Sequence, residues 1–213
     1  MPRTTTEIST RKLPRQARST ELVAAILDAA IQVLTTEGAH RFTTARVARK
    51  AGVSVGSLYQ YFPNKAAILF RLQSDEWEQT TRLLREILED ESKTPLERIR
   101  ALVHTFVRSE CEEASMRTAL NDAAPLYRDA PEAILARTEG SMAFRTFTMK
   151  MLPDVAEETQ AMVAELIEMT LSQVGKAFSE EPRSNEEIAA FSDGLADMLC
   201  AYLSTLAKDL ERA

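Results

Sequence analysis

A chain of 213 residues, 45% hydrophobic and 27% charged, can bury a sizeable core and has the balance of an ordinary globular protein. No run approaches the roughly 18 consecutive apolar residues of a membrane span, and the opening MPRTTTEISTRKLPRQ lacks the apolar stretch of a secretory signal. The net charge of −6 is uneven: up to Lys65 ten basic residues stand against four acidic ones, which leaves −12 on the remainder. A solvated basic tail would give some of this bias, but a nucleic-acid-binding head on an acidic body fits it better. Six glycines and eight prolines among abundant Ala, Leu and Glu predict an all-α chain. Cys111 and Cys200 are too few for a disulfide framework and lack metal-ligand spacing, which points to the reducing cytoplasm.

In chain order, residues 1–18 read as a flexible basic arm rich in Thr, Arg and Pro. Ser19 or Thr20 caps a helix whose inner face repeats Leu22, Ile26, Ala29 and Val33, widened by Val23, Leu27, Ala30 and Leu34. Gly38 ends it, and Phe42 anchors the entry to the next helix. Thr43 or Thr44 caps a short helix with Val47, Ala48 and Ala51 inward, Gly52 supplies a left-handed turn, and Ser54 caps a second short helix holding Leu58 and Phe62 inward. Helix, tight glycine turn and second helix form a helix-turn-helix. Its outward residues, Val55, Gly56, Ser57, Tyr59, Gln60 and Tyr61, offer hydrogen-bonding groups, a methyl surface and a gap, as entry into a DNA major groove requires. Pro63 stops the helix at Phe62, and Asn64 caps a long one with Lys65 in its first turn. A lysine there opposes the helix dipole by about 0.3–1 kcal/mol unless an anion such as phosphate sits beside it.

The run T-T-x-x-V-A-x-x-A-G-V-S-x-G-S-L-Y-x-Y-F-P-N-K-x-x-I-L, within residues 20–70, resembles the DNA-binding head of the TetR family of bacterial transcriptional regulators. The resemblance implies an all-helical homodimer of about nine helices, with a three-helix operator-binding head over residues 19–66 and an effector-binding and dimerisation body over 67–213. It implies a regulator that binds double-stranded DNA, most simply a repressor released from a palindromic operator by a small hydrophobic or amphiphilic effector. The alternative is an activator or architectural protein that senses nothing. By position, Thr44, Tyr61 and Lys65 match the family's phosphate contacts, and Val55, Ser57 and Tyr59 its base-reading positions. Thr43, Arg46, Ser54, Gly56 and Gln60 complete the candidate surface. Ala45 stands where some members carry a base-reading arginine.

Beyond residue 70 the resemblance is architectural. Leu69, Leu72, Trp77, Leu84 and Ile87 carry the long helix to about Glu89, and Pro95 suits the first position of the next. A shorter helix is expected from Met116, another from Pro131 reaching Met151, then one over Val155–Phe178, with Ser184 or Asn185 capping the last. Phe191, Leu195, Met198, Leu199, Tyr202 and Leu206 form a long stripe, with Gly194 for close approach, and Met162, Leu166 and Met169 share a face of the helix before. An intramolecular hairpin would use this pattern, and so would the four-helix dimer interface that the resemblance implies. Phe106, Met116, Leu120, Tyr127, Met142, Phe144, Arg145 and Met149 are candidates for the effector cavity, since Met-rich walls adapt to apolar ligands. Plain core packing explains any one of them as well. If the polar stripe of Thr138, Ser141, Arg145 and Thr148 faces that cavity, Arg145 is a buried cation suited to an acidic amphiphile. No glycine-rich phosphate loop, nucleophile motif or trusted His/Glu ligand spacing is present, so no enzyme, metal or cofactor is expected.

Overall fold

The computed structural model describes residues 7–10 and 17–210, apart from the side chains at 17–18, 137–140 and 208–210. Arg3, Arg11, Lys12 and Arg15 of the expected arm, and the side chains of Arg18 and Thr138, lie outside the described set. Among the described residues there are nine α-helices, one 3₁₀ turn at Ala124–Leu126, and no strand. The helices are α1 (Ala17–Arg41), α2 (Thr44–Lys50), α3 (Val55–Tyr59), α4 (Lys65–Glu89), α5 (Pro95–Glu112), α6 (Ala114–Ala123), α7 (Pro131–Met151), α8 (Glu157–Ser179) and α9 (Asn185–Leu210). The all-α expectation therefore holds.

The chain divides into two compact units, and the division does not fall at residue 66. The first unit takes the described residues up to Glu78 together with Ser115–Arg137; the second takes Gln79–Ala114 and the residues from Thr138 onward. The reason is a shared core. Leu120, Ala123, Tyr127 and Ala133, from α6 to the start of α7, are buried in one cluster with Ile26, Leu34, Phe42, Leu58, Phe62, Ile68 and Leu69. Each such Leu, Ile or Phe contributes about 1.5–3 kcal/mol by leaving water. α1, long and apolar enough by composition to cross a membrane, places Ile26, Ala29, Ala30, Val33 and Leu34 in this core.

Residues 7–10 depart from the mobile arm expected there. Ile8 is 2% exposed within the first core, and the Glu7 carbonyl accepts from Asn64 Nδ2 at 2.8 Å. Nothing in the local pattern marks this isoleucine, and the bond that ties its neighbour Glu7 comes from Asn64, 57 positions along the chain.

A buried polar chain joins α4 to the segment 115–137. Arg117 pairs with Glu76 at 3.0 Å, Gln73 Nε2 donates to Glu76 at 3.0 Å, and the Tyr127 hydroxyl lies 3.2 Å from Gln73 Oε1. Burial lowers the Arg117 pKa, with Glu76 opposing that shift; burial raises the Tyr127 phenol well above its usual value, and Glu76 adds to the rise.

In the second unit α5 packs against both α8 and α9. Ile99, Leu102, Val103 and Val107 meet Val163, Ile167 and Leu171 in one core with Leu195, Leu199 and Leu203. Leu195 and Leu199 were expected in a dimer seam, yet at 7% and 3% exposure they belong to this intramolecular core. The stripe on α9 is wide, and α5 takes its inner half. Within the chain, close packing falls on another glycine, Gly175. A Cβ on Gly194 would meet nothing within 4 Å, whereas one on Gly175 would lie 2.9 Å from Phe106 Cε1 and 3.1 Å from Glu110 Cγ. Phe178 stacks on Phe191 with centroids 3.9 Å apart, and Ser184 and Glu187 cap α9 reciprocally.

Gly175→Val forces branched methyls into that contact and is expected to destabilise the chain by about 1–3 kcal/mol, the range of an overpacked core. Urea denaturation followed by circular dichroism measures it, and an unchanged midpoint would contradict the close packing of α5 on α8.

Candidate nucleic-acid interface

The surface expected to read DNA is assembled by local rules. Thr43 is the N-cap of α2, its hydroxyl accepting from the Arg46 amide at 3.3 Å. Gly52 adopts φ 68°, which lets the Val53 amide return to the Ala48 carbonyl at 3.0 Å and turns the chain from α2 into α3. Ser54 caps α3 by accepting from the Ser57 amide at 3.0 Å. Asn64 caps α4 by accepting from the Ala67 amide at 2.9 Å, which leaves Lys65 half-buried at the first position of the helix.

Leu58 is fully buried beneath α3, while Ser54, Val55, Gly56, Tyr59 and Gln60 are exposed and Ser57 is half-exposed. Two side-chain pairs brace this face. Thr44 Oγ1 lies 3.1 Å from the Tyr59 hydroxyl, and Ser54 Oγ lies 2.8 Å from Ser57 Oγ. Both pairs hold polar groups in place on exposed backbone.

Gly56 is the most informative residue here. Glycine inside a helix costs about 0.5–1 kcal/mol relative to alanine. A Cβ at this position would meet only Ser54 Oγ, at 3.8 Å. Among the described residues, no contact requires the missing side chain.

Two expected contacts are placed differently. Tyr61 was expected to face outward, but it is 6% exposed and its ring belongs to the first core. α3 ends at Tyr59, and the turn that follows directs Tyr61 inward. Its hydroxyl has no hydrogen-bond partner among the described residues. Arg46 is ion-paired with Glu37 at the end of α1, a partner that helical periodicity does not reveal.

The effector candidates are divided between the two units. Met116, Leu120 and Tyr127 belong to the first unit, where Leu120 and Tyr127 are core residues. In the second unit Phe144 is buried in the core, Phe106 packs against it, and Met149 is exposed. Met142 and Arg145 of α7 do share a cavity of about 480 Å³ with Glu165, Glu168 and Met169 of α8. Arg145 is exposed there, which corrects the expectation of a buried cation, and Ser141 donates to Glu168 at 2.9 Å. Of the dimer candidates, Met162, Leu166, Met169 and Met198 are exposed, and Phe191, Tyr202 and Leu206 are half-buried.

Comparison with known proteins agrees with this arrangement. Residues 26–72 match the bacterial regulatory proteins of the tetR family, and residues 94–206 match the tetracyclin repressor-like C-terminal domain. The nucleoid occlusion factor SlmA of Vibrio campbellii is 43% identical over 83 residues, which cover 38% of this chain and 42% of that protein, so the match spans about two-fifths of that relative's length. The transcriptional repressor KstR of Rhodococcus jostii is 28% identical over 142 residues, 67% of this chain and 65% of that one. The fold matches FadR of Bacillus subtilis in complex with stearoyl-CoA, with a TM-score of 0.60 at 18% identity over 83% of this chain and 97% of that one. With both its head and its C-terminal region matched, the chain belongs to the tetR family of bacterial regulatory proteins.

Proposed function

We propose that this chain is a sequence-specific DNA-binding transcriptional regulator of the bacterial cytoplasm, acting as a homodimer on a palindromic operator and released by a small hydrophobic or amphiphilic molecule. The observation that carries the reading is the gap at Gly56 on α3, flanked by exposed Val55 and Tyr59 and half-exposed Ser57. In this reading α3 enters the major groove, where Ser57, Tyr59 and Gln60 meet base edges and Val55 meets a thymine methyl. Thr44, Lys65 and the amides behind the caps Thr43 and Ser54 hold phosphates.

The exposed Met162, Leu166 and Met169 of α8 and Met198 of α9 supply the apolar surface on which two copies join. Support for an effector comes from the bound acyl-CoA named for the FadR structure and from the cavity between α7 and α8. In that cavity one guanidinium, Arg145, stands beside two carboxylates, Glu165 and Glu168, a balance that disfavours a simple organic acid. A second reading, DNA binding without control of transcription, draws on the match to SlmA, named for nucleoid occlusion. Release of operator DNA by a small molecule separates the two.

Gly56→Ala is expected to stabilise the free chain by about 0.5–1 kcal/mol while weakening specific DNA binding, because the new methyl fills the gap. Thermal melting and fluorescence anisotropy read the two effects, and unweakened binding would remove Gly56 from the interface.

Lys65→Ala is expected to weaken specific and random DNA alike and to lower the salt slope by about one. Tyr59→Ala instead relaxes sequence preference, by about 1–3 kcal/mol for each lost base contact. Site selection from random DNA decides between these roles.

Leu166→Glu is expected to yield folded monomers by light scattering, whereas Leu199→Arg disrupts the second core itself and lowers helicity. A dimeric Leu166→Glu protein would move the interface off α8.

A further inference from the structure

Arg46 lies in the first turn of α2, two residues after Thr44. Thr44 bonds to Tyr59 and so marks the side of α2 that faces the α3 surface. At about 100° per residue, Arg46 projects roughly 200° around the helix from Thr44. There it meets the Glu37 carboxylate, which also lies 3.9 Å from Arg41 Nε. Glu37 sits directly before Gly38, whose φ of 75° breaks the helical path, so its position is fixed by the end of α1. Arg46 and Glu37 each retain about a third of their side-chain exposure, at 37% and 30%, and Arg41 keeps 68%. A carboxylate on a head that carries a net +6 up to Lys65 repels a polyanion, and here it also engages a cation of that same head.

We infer that Glu37 sets the DNA affinity of the head by holding Arg46 against α1, so that Arg46 makes no phosphate contact in the wild-type chain and gains one when the carboxylate is neutralised. The inference rests on the DNA-binding reading above. Each phosphate neutralised adds about 0.9 to the slope of log affinity against log salt. Glu37 also lies 3.9 Å from Arg41 Nε, so the double variant is needed to assign the change to Arg46.

The test compares the full-length wild type with Glu37→Gln, Arg46→Gln and the double variant, titrating random-sequence duplex DNA at several salt concentrations, with thermal melting to show that each is folded. Glu37→Gln is expected to steepen the salt slope by about one and to tighten binding several-fold at 50 mM salt. Arg46→Gln is expected to leave the slope unchanged, and the double variant to match Arg46→Gln. A slope that falls by about one in Arg46→Gln alone shows that Arg46 already contacts DNA and overturns the inference. An unchanged slope in Glu37→Gln overturns it, as does equal tightening by Glu37→Gln when Arg46 is absent, which would leave Glu37 as background charge. A wild-type chain that binds no DNA at any salt overturns the DNA-binding reading itself and this inference with it.

Discussion

α3 spans five residues, too few to form a helix in water through its own hydrogen bonds, so the shape of the exposed surface rests on the burial of Leu58 and Phe62 beneath it. Those two side chains are held by Phe42, Ile68 and Leu69 from the elements on either side. Around that anchor, each end of the short helices is closed by a single polar group: Thr43 for α2, Ser54 for α3, Asn64 for α4. The packing fixes where the backbone lies, and the caps fix where each helix begins. What remains outside is free to be chosen for a partner, which is why a glycine and a β-branched residue can be tolerated in a helix that propensity alone would not support.

The exposed face combines order with polarity. Thr44 with Tyr59, and Ser54 with Ser57, are paired side chains that hold their hydroxyls in defined places before any partner arrives. Preorganised groups lose less freedom on binding than mobile ones, so they favour geometric discrimination. The charges beside them act differently. Coulomb attraction is long-ranged and indifferent to sequence, and it is governed by how many cations remain unpaired rather than by how many the chain contains. The acidic remainder, at −12, limits the attraction to one end of the sequence.

Much of the fold was legible because its signals are local. The caps, the positive φ at Gly52, Pro95 at the start of α5 and the capping of α9 by Ser184 each depend on residues within a few positions. The features that escaped depend on distant partners. Ile8 looks like part of a polar tail until its contacts are known. Gly175 and Gly194 are equivalent as letters, and only the approach of Phe106 distinguishes them. Leu195 and Leu199 share a stripe with Met198, and periodicity cannot say which part of a wide stripe α5 will cover. The candidate site follows the same division. The α3 face was readable from its pattern, while the pairing of Arg46 with Glu37 and the inward turn of Tyr61 come from tertiary placement.

The core shared by α1 to α4 and the segment Ser115–Arg137 bears on how such proteins can be recombined. Leu120, Ala123 and Tyr127 enter it from a point in the chain some fifty residues after Leu69. A graft that exchanged only the N-terminal seventy or so residues with those of a relative would bring a foreign α1–α4 surface against the host's α6. Mismatched side chains there would open cavities or overlap, at a cost of the order of the stability of a small domain. The exchangeable piece is thus discontinuous, and a working chimera must carry α6 and the start of α7 along with the head it belongs to.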